Sequence, residues 1–254
     1  MEKMYYESIN GLKLCGILTE SELKDKIVIM CHGIRGNKDE CGAFTLLSEK
    51  LLSIGYSSFR FDFNGHGESE GKDLDMTITR EIKDLESTVK MLEEKGYKDI
   101  ILLGGSFGAS IVSLFPFDKY DSVKAIVLWY GCLDYDYARF GNLFAEENMK
   151  IAEKGGYYTS KSMNTGEEFK FGLQLFKETY KYKPYDYLMK CNLPKLFVHG
   201  DKDSVLPYKL SEDVSNKCNN STFKLIKNGE HTFMNSDATI NEAIEVTIDF
   251  IKNI

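Results

Sequence analysis

Short runs of apolar and β-branched residues recur along this chain, each followed by a glycine-containing turn and then by a stretch whose apolar residues return every three or four positions. The runs predict strands over Lys26–Cys31, Ser57–Phe61, Asp99–Leu103, Lys124–Leu128 and Lys195–His199, with a last one over Thr222–Ile226. Hydrophobicity in the first five is continuous rather than alternating, which means burial on both faces, as in a parallel sheet covered by helices. Between them, Ala43–Ser53 puts Phe44, Leu47 and Leu51 on one helical face, Ile78–Glu94 repeats Ile82, Leu85, Val89 and Leu92, and Ala238–Ile251 forms a terminal helix. Gly55 and Gly96 follow the first two helices, where a left-handed cap is needed. The alternation predicts an α/β fold with a mostly parallel central sheet flanked by helices.

One stretch breaks this rhythm. Residues 132–188 hold no convincing buried strand but are dense in aromatics, from Tyr135, Tyr137, Phe140 and Phe144 to Tyr180, Tyr182, Tyr185 and Tyr187. Within it, Tyr157–Thr159 and a turn around Asn164-Thr165-Gly166 predict a hairpin, followed by a helix to about Tyr180. The expected organisation is a core of residues 1–131 and 189–254 with a small aromatic cap inserted at 132–188. At least half of the rings are assigned to packing or to a contact in a homodimer. The others supply an apolar pocket.

The 254 residues suffice for one large α/β domain with such an insertion, and 43% apolar with 28% charged residues is an ordinary globular composition. A net charge of -7, with no Lys/Arg run interleaved with aromatics, argues against nucleic acid as a partner. The first residues lack the apolar stretch of a signal peptide, and no run approaches the roughly 18 apolar residues that span a bilayer. A cytoplasmic protein without a membrane partner is expected. The six cysteines show no CxxC pair and no metal-ligand spacing with the four histidines, so reduced, mostly buried thiols and no metal are expected.

Chemistry enters at Gly104-Gly105-Ser106-Phe107-Gly108, which follows a predicted strand and precedes an apolar, helix-like stretch, Ala109–Leu114. GxSxG alone is a weak signal, since glycine and serine are common in turns. In this context the glycines permit a strained strand-to-helix turn that lifts the serine hydroxyl above the sheet. A serine hydroxyl needs a base to become a nucleophile, and the base needs a carboxylate. The fifth strand leads into His199-Gly200-Asp201-Lys202-Asp203, and Asn228-Gly229-Glu230-His231 follows the last strand, so the chain order is Ser, Asp, His. Asp203 is favoured over Asp201, whose position suits a loop cap; His231 is favoured over His32, His66 and His199 because it alone follows the last strand on a loop. The first strand ends in His32-Gly33-Ile34-Arg35-Gly36. From that loop the Ile34 N–H, paired with the Phe107 N–H, would form an oxyanion hole.

With Ser106, Asp203, His231 and the His32-Gly33 loop, the chain resembles the α/β-hydrolase superfamily along nearly all its length. Phe61-Asp62-Phe63-Asn64-Gly65-His66-Gly67-Glu68-Ser69 and the small cap narrow the match to bacterial carboxylesterases of the cinnamoyl or feruloyl esterase type. The resemblance implies hydrolysis of a small-molecule carboxylic ester, often of a hydroxycinnamic acid, between core and cap and without a cofactor. It also implies that the GHG loop holding Asp62 and His66 is structural. Many members carry histidine before the nucleophile and glutamine after it, where this chain has Gly105 and Phe107, so the substrate preference transfers less well than the triad. Asp136 is a candidate for binding a phenolic hydroxyl. Other readings on the same fold are a thioesterase, lipase, peptidase or acyltransferase, and a non-catalytic binding protein.

Overall fold

The computed structural model describes residues 1–22, 25–137, 143–161 and 166–254. Its main sheet has eight strands: β1 (Glu2–Glu7), β2 (Lys13–Thr19), β3 (Lys26–Cys31), β4 (Ser57–Phe61), β5 (Asp99–Gly105), β6 (Val123–Trp129), β9 (Lys195–Gly200) and β10 (Ser221–Ile226). They lie side by side in the order β1-β2-β4-β3-β5-β6-β9-β10. From β4 to β10 all neighbours are parallel, whereas β1 pairs with β2 and β2 with β4 antiparallel. The N-terminal antiparallel pair was not visible in the hydrophobic pattern. β1 alternates between exposed and half-buried residues, and β2 is interrupted by Gly16, where a Cβ would lie 2.2 Å from the Phe59 ring.

Burial on both faces explains the continuous apolar runs. Ile27 and Ile29 of β3 pack on the side of α2 (Ile78–Glu94) and α3 (Phe107–Ser113), while Val28 and Met30 pack on the side of α1 (Ala43–Ser53) and α8 (Asp237–Lys252). Each fully buried Leu or Phe contributes roughly 1.5–3 kcal/mol, so these two layers dominate the fold's stability. Helix ends follow the predicted chemistry. After α1 the N–H groups of Gly55 and Tyr56 bond to the carbonyls of Leu52 and Leu51, and after α2 those of Gly96 and Tyr97 bond to Glu93 and Leu92, with φ of 83° and 102° at the two glycines. Both are Schellman caps.

Between β6 and β9 the chain leaves the sheet and forms α4 (Glu146–Gly155), a two-stranded antiparallel sheet of β7 (Tyr157–Lys161) and β8 (Glu168–Gly172), then α5 (Leu173–Lys181) and α6 (Pro184–Lys190). Tyr135, Phe144, Phe171 and Phe176 are buried and merge with the core layer of α2 and α3, whereas Tyr137, Tyr157, Tyr180 and Tyr187 are exposed. Phe140, and Asn164 and Thr165 of the expected turn, lie outside the described residues. After β9 comes α7 (Tyr208–Lys217), and the last helix is α8, whose buried Thr247 accepts the indole N–H of Trp129 at 2.9 Å.

Candidate active site

Ser106 stands between β5 and α3 with φ 53° and ψ -117°, a left-handed conformation that costs a non-glycine residue about 1–3 kcal/mol. Two glycines make this geometry available. A Cβ on Gly104 would come within 2.4 Å of the Gly108 carbonyl oxygen, and one on Gly108 within 2.1 Å of the Cys31 carbonyl oxygen. The serine backbone is tied on both sides, its N–H to the Trp129 carbonyl and its carbonyl to the Cys132 N–H, each at 3.0 Å. The strain is therefore over-determined by neighbours, as a fixed hydroxyl requires.

The structure brings His231 and Asp203 to this hydroxyl from separate loops. His231 Nε2 is 3.1 Å from Ser106 Oγ, and His231 Nδ1 is 2.7 Å from Asp203 Oδ2. A carboxylate only accepts, so Nδ1 carries the proton and Nε2 is left to accept from the serine. The Asp203 side chain is fully buried and has a partner on every side: Val205 and Leu206 N–H groups at 2.8 Å on Oδ1, and His199 Nε2 at 3.0 Å beside His231 on Oδ2. Burial alone would raise this carboxyl, but hydrogen bonds from His199 and His231, the His231 charge and the Leu206 N–H outweigh it and hold it far below the usual carboxylate range. Asp201 is placed differently, accepting the Asn228 N–H at 2.6 Å in the loop after β10.

The loop after β3 turns sharply, closed by the Gly36 N–H on the Gly33 carbonyl at 3.0 Å with Arg35 at φ 62°. Its Gly33 N–H is already used, donating to Glu40 Oε2 at 2.9 Å. Ile34 and Phe107 both line the cavity that Ser106 and His231 share. Phe107 opens α3, where an N–H has no partner within the helix.

Three site residues escaped the sequence reading. His199, second donor to Asp203, is hidden inside the apolar run of β9, its Nδ1 against Ser211 Oγ at 2.8 Å. Tyr130 stacks edge-on against the His231 ring with centroids 4.8 Å apart and donates to Glu40 Oε1 at 3.2 Å. Glu40 sits in the polar run Asn-Lys-Asp-Glu, which reads as a solvated loop, yet it is buried against the turn that carries Ser106. The signal available was only its distance along the chain from the His32-Gly33 loop.

The cavity over these groups has a volume of about 350 Å³, within the range of small-ligand sites. Ile34, Phe107, Leu143, Phe144, Val205 and Leu206 give it an apolar wall, while Arg35, Glu230 and Thr232 lie at its polar side. Asp136 is not among the lining residues; it is ion-paired with Lys183.

The GHG loop faces inward. Asp62 is buried and accepts from the Lys38 backbone and ammonium at 2.7 Å and from the Glu68 N–H at 2.9 Å, and His66 packs on His32 and Phe169. Cys15, Asp62 and Glu68 are the one group with metal-ligand spacing among the described residues. The Lys38 ammonium already bridges its two carboxylates at 2.7 and 2.8 Å, which is poor chemistry for a cation. Five of the cysteines are at least partly buried; Cys41 is exposed at the cavity rim, and none of the six is in a disulfide.

Comparison with known proteins gives this geometry its relatives. The Hydrolase_4 family, described as serine aminopeptidase, S33, matches residues 23–154, just over half of the chain. Est1E from Butyrivibrio proteoclasticus, solved with ferulic acid bound, superposes with a TM-score of 0.83 at 25% identity, covering 98% of this chain and 99% of that one. The mouse α/β-hydrolase domain-containing protein 10 superposes with a TM-score of 0.80 at 21% identity, covering 100% and 99%. In sequence, the mitochondrial palmitoyl-protein thioesterase ABHD10 of Bos taurus is 24% identical over 229 residues, 89% of this chain and 73% of that protein. The fold is the α/β-hydrolase fold. Among the described residues no helix is long and apolar enough to cross a membrane.

Proposed function

We propose that this chain, which belongs to the serine aminopeptidase, S33 family of hydrolases, is a serine carboxylesterase acting on esters of small hydrophobic acids through an acyl-enzyme on Ser106. The observation that carries the reading is the hydrogen-bonded line Ser106–His231–Asp203, at 3.1 and 2.7 Å, opening into an apolar-walled cavity.

In this reading Ser106 Oγ attacks the ester carbonyl carbon while its proton passes to His231 Nε2. Asp203 keeps the other ring nitrogen protonated and steadies the imidazolium. The N–H groups of Ile34 and Phe107 receive the oxyanion. His231 then returns the proton to the departing alcohol, leaving the acyl group on Ser106, and next takes a proton from water as it attacks the ester so formed. In the final step His231 gives that water's proton to Ser106 Oγ as the Ser106–acyl bond breaks and the acid leaves. Each step needs only groups of this chain and water, so the reading calls for no metal or organic cofactor. It places the protein in the cytoplasm, working on a small-molecule ester, with neither nucleic acid nor membrane as partner.

A second reading, a thioesterase, is favoured by the similarity to ABHD10. The family description adds peptides as a third substrate class. One experiment separates them: kcat/KM over short-acyl, long-acyl and hydroxycinnamoyl p-nitrophenyl esters, an acyl thioester and an aminoacyl p-nitroanilide. The proposal expects the highest values on the short or hydroxycinnamoyl esters. Preference for the thioester or the anilide by tenfold or more, about 1.4 kcal/mol in the transition state, would replace it.

A further inference from the structure

We propose that Glu40 is a positioning residue of the reaction: its buried carboxyl holds the loop that carries Ile34, and its negative charge steadies the protonated form of His231. This rests on the reading of Ser106 and His231 given above.

The geometry carries the first half. Glu40 is 5% exposed, and both of its oxygens are engaged, Oε2 by the Gly33 N–H at 2.9 Å and Oε1 by the Tyr130 hydroxyl at 3.2 Å. With Gly33 tied down, the next N–H of the loop, that of Ile34, is the one left for substrate. The carboxyl packs directly against the serine turn. A Cβ added to Gly105 would lie 3.1 Å from Oε1, and one added to Gly36 would lie 3.0 Å from Oε2. Glu40 and Cys41 reach this place with φ of 43° and 54°, two adjacent non-glycine residues in the left-handed region. Such strain persists where the surroundings enforce it, and here its effect is to turn a carboxylate inward beneath the nucleophile.

The second half follows from which neighbours can carry charge. Four titratable groups face Glu40 or its partners: Cys41 on its own turn, His32 before the Gly33 loop, Tyr130 after β6 and His231 after β10; Asp203 lies behind His231. His32 is held neutral, its Nδ1–H on the Gly33 carbonyl at 2.8 Å and its Nε2 accepting the Phe63 N–H at 3.1 Å, with burial pushing it down to about 3. Tyr130 is pushed well above its ordinary value by burial and by Glu40 itself. Arg35 reaches away to Ser160 and Lys161. His231 is thus the neighbour whose charge changes during turnover. Burial pushes Glu40 up to about 7, with the Gly33 N–H, His231 and Tyr130 pulling the other way. A carboxyl poised there is drawn into its ionised form as the imidazolium forms, and by reciprocity it favours the imidazolium.

The test compares Glu40→Gln, which keeps shape and an acceptor oxygen, with Glu40→Ala, which removes both, on p-nitrophenyl acetate across pH. Glu40→Gln should lower kcat on the order of tenfold with KM within twofold, and move the acid limb of kcat/KM to lower pH, since His231 loses a stabilising charge. Glu40→Ala should lose about a hundredfold, because the oxyanion loop is also released. Tyr130→Phe, which keeps the ring and deletes one partner of Glu40, should shift the acid limb the same way by less, and it serves if both Glu40 variants fail to fold. Folded Glu40→Gln or Tyr130→Phe with the parent kcat and pH profile would overturn the proposal. Ser106→Ala run in parallel tells the two readings apart: if it retains turnover, the nucleophile assignment has failed, whatever Glu40 does.

Discussion

Two regions meet over the cavity, and they are built differently. The rim of the main sheet, where β3, β5, β6, β9 and β10 end, is buried and hydrogen-bonded; the Asp203 carboxylate alone accepts four hydrogen bonds. The segment between β6 and β9 packs Tyr135, Phe144, Phe171 and Phe176 into the core, leaves its β7–β8 pair half exposed, and adds polar links to the rest. Arg35 Nη1 donates to Ser160 Oγ and to the Lys161 carbonyl at 2.9 Å, and Thr79 donates to Glu178 through N–H and hydroxyl at 2.8 and 2.9 Å. Ser106, His231 and Asp203 sit on the hydrogen-bonded rim, and the apolar wall of the cavity is shared, with Ile34, Phe107, Val205 and Leu206 from the rim loops and Leu143 and Phe144 from the segment between β6 and β9.

Five substitutions probe the two regions separately. At the rim, Ser106→Ala should remove p-nitrophenyl ester turnover, a loss of about 10⁴-fold or more, while leaving Tm and circular dichroism unchanged. Asp203→Asn should cost about 10⁴-fold in kcat by presenting the wrong histidine tautomer, whereas Asp201→Asn should stay within a few-fold. The reverse ranking in kcat would move the acid to Asp201. Glu40 offers a thermodynamic check on the same rim. Its carboxyl is raised from 4.5 to about 7 in the folded protein, so the unfolded chain gives up its proton first and the parent loses stability as pH rises through that window. Urea unfolding should show Glu40→Gln gaining on the parent between pH 4.5 and 7, by up to about 3 kcal/mol; a constant difference across that window would contradict the burial argument. On the other side of the cavity, Arg35→Ala cuts two links to β7 and should raise KM about fivefold with kcat within twofold. An unchanged KM would mean that β7 keeps its place without Arg35.

The same contrast governs what was legible from residues alone. β3, β4, α1 and α2 match their predicted bounds because buried-strand and amphipathic patterns are strong, and glycine caps mark the helix ends. Ser106, Asp203 and His231 could be named because a tight turn demands glycines at fixed spacing and the chain order is imposed by the sheet. Glu40 could not. Its inward turn depends on left-handed backbone at Glu40 and Cys41, a conformation that neither residue type advertises. His199 was masked by the apolar strand it ends, since its pairing with Asp203 exists only after β9 bends into its loop. In the segment from 132 to 188, aromatic residues signalled contact area without saying which rings face the core. Phe171 and Phe176 do, whereas Tyr180 and Tyr187 face outward.

In the proposed reaction one hydroxyl, that of Ser106 made nucleophilic by His231, does the chemistry. Incubation with a fluorophosphonate, followed by intact mass and peptide mapping, tests it most directly. A single adduct on Ser106 is expected, abolished in Ser106→Ala and slowed at least a hundredfold in a folded His231→Ala variant. An adduct on another residue, or none on the folded parent protein, would contradict it.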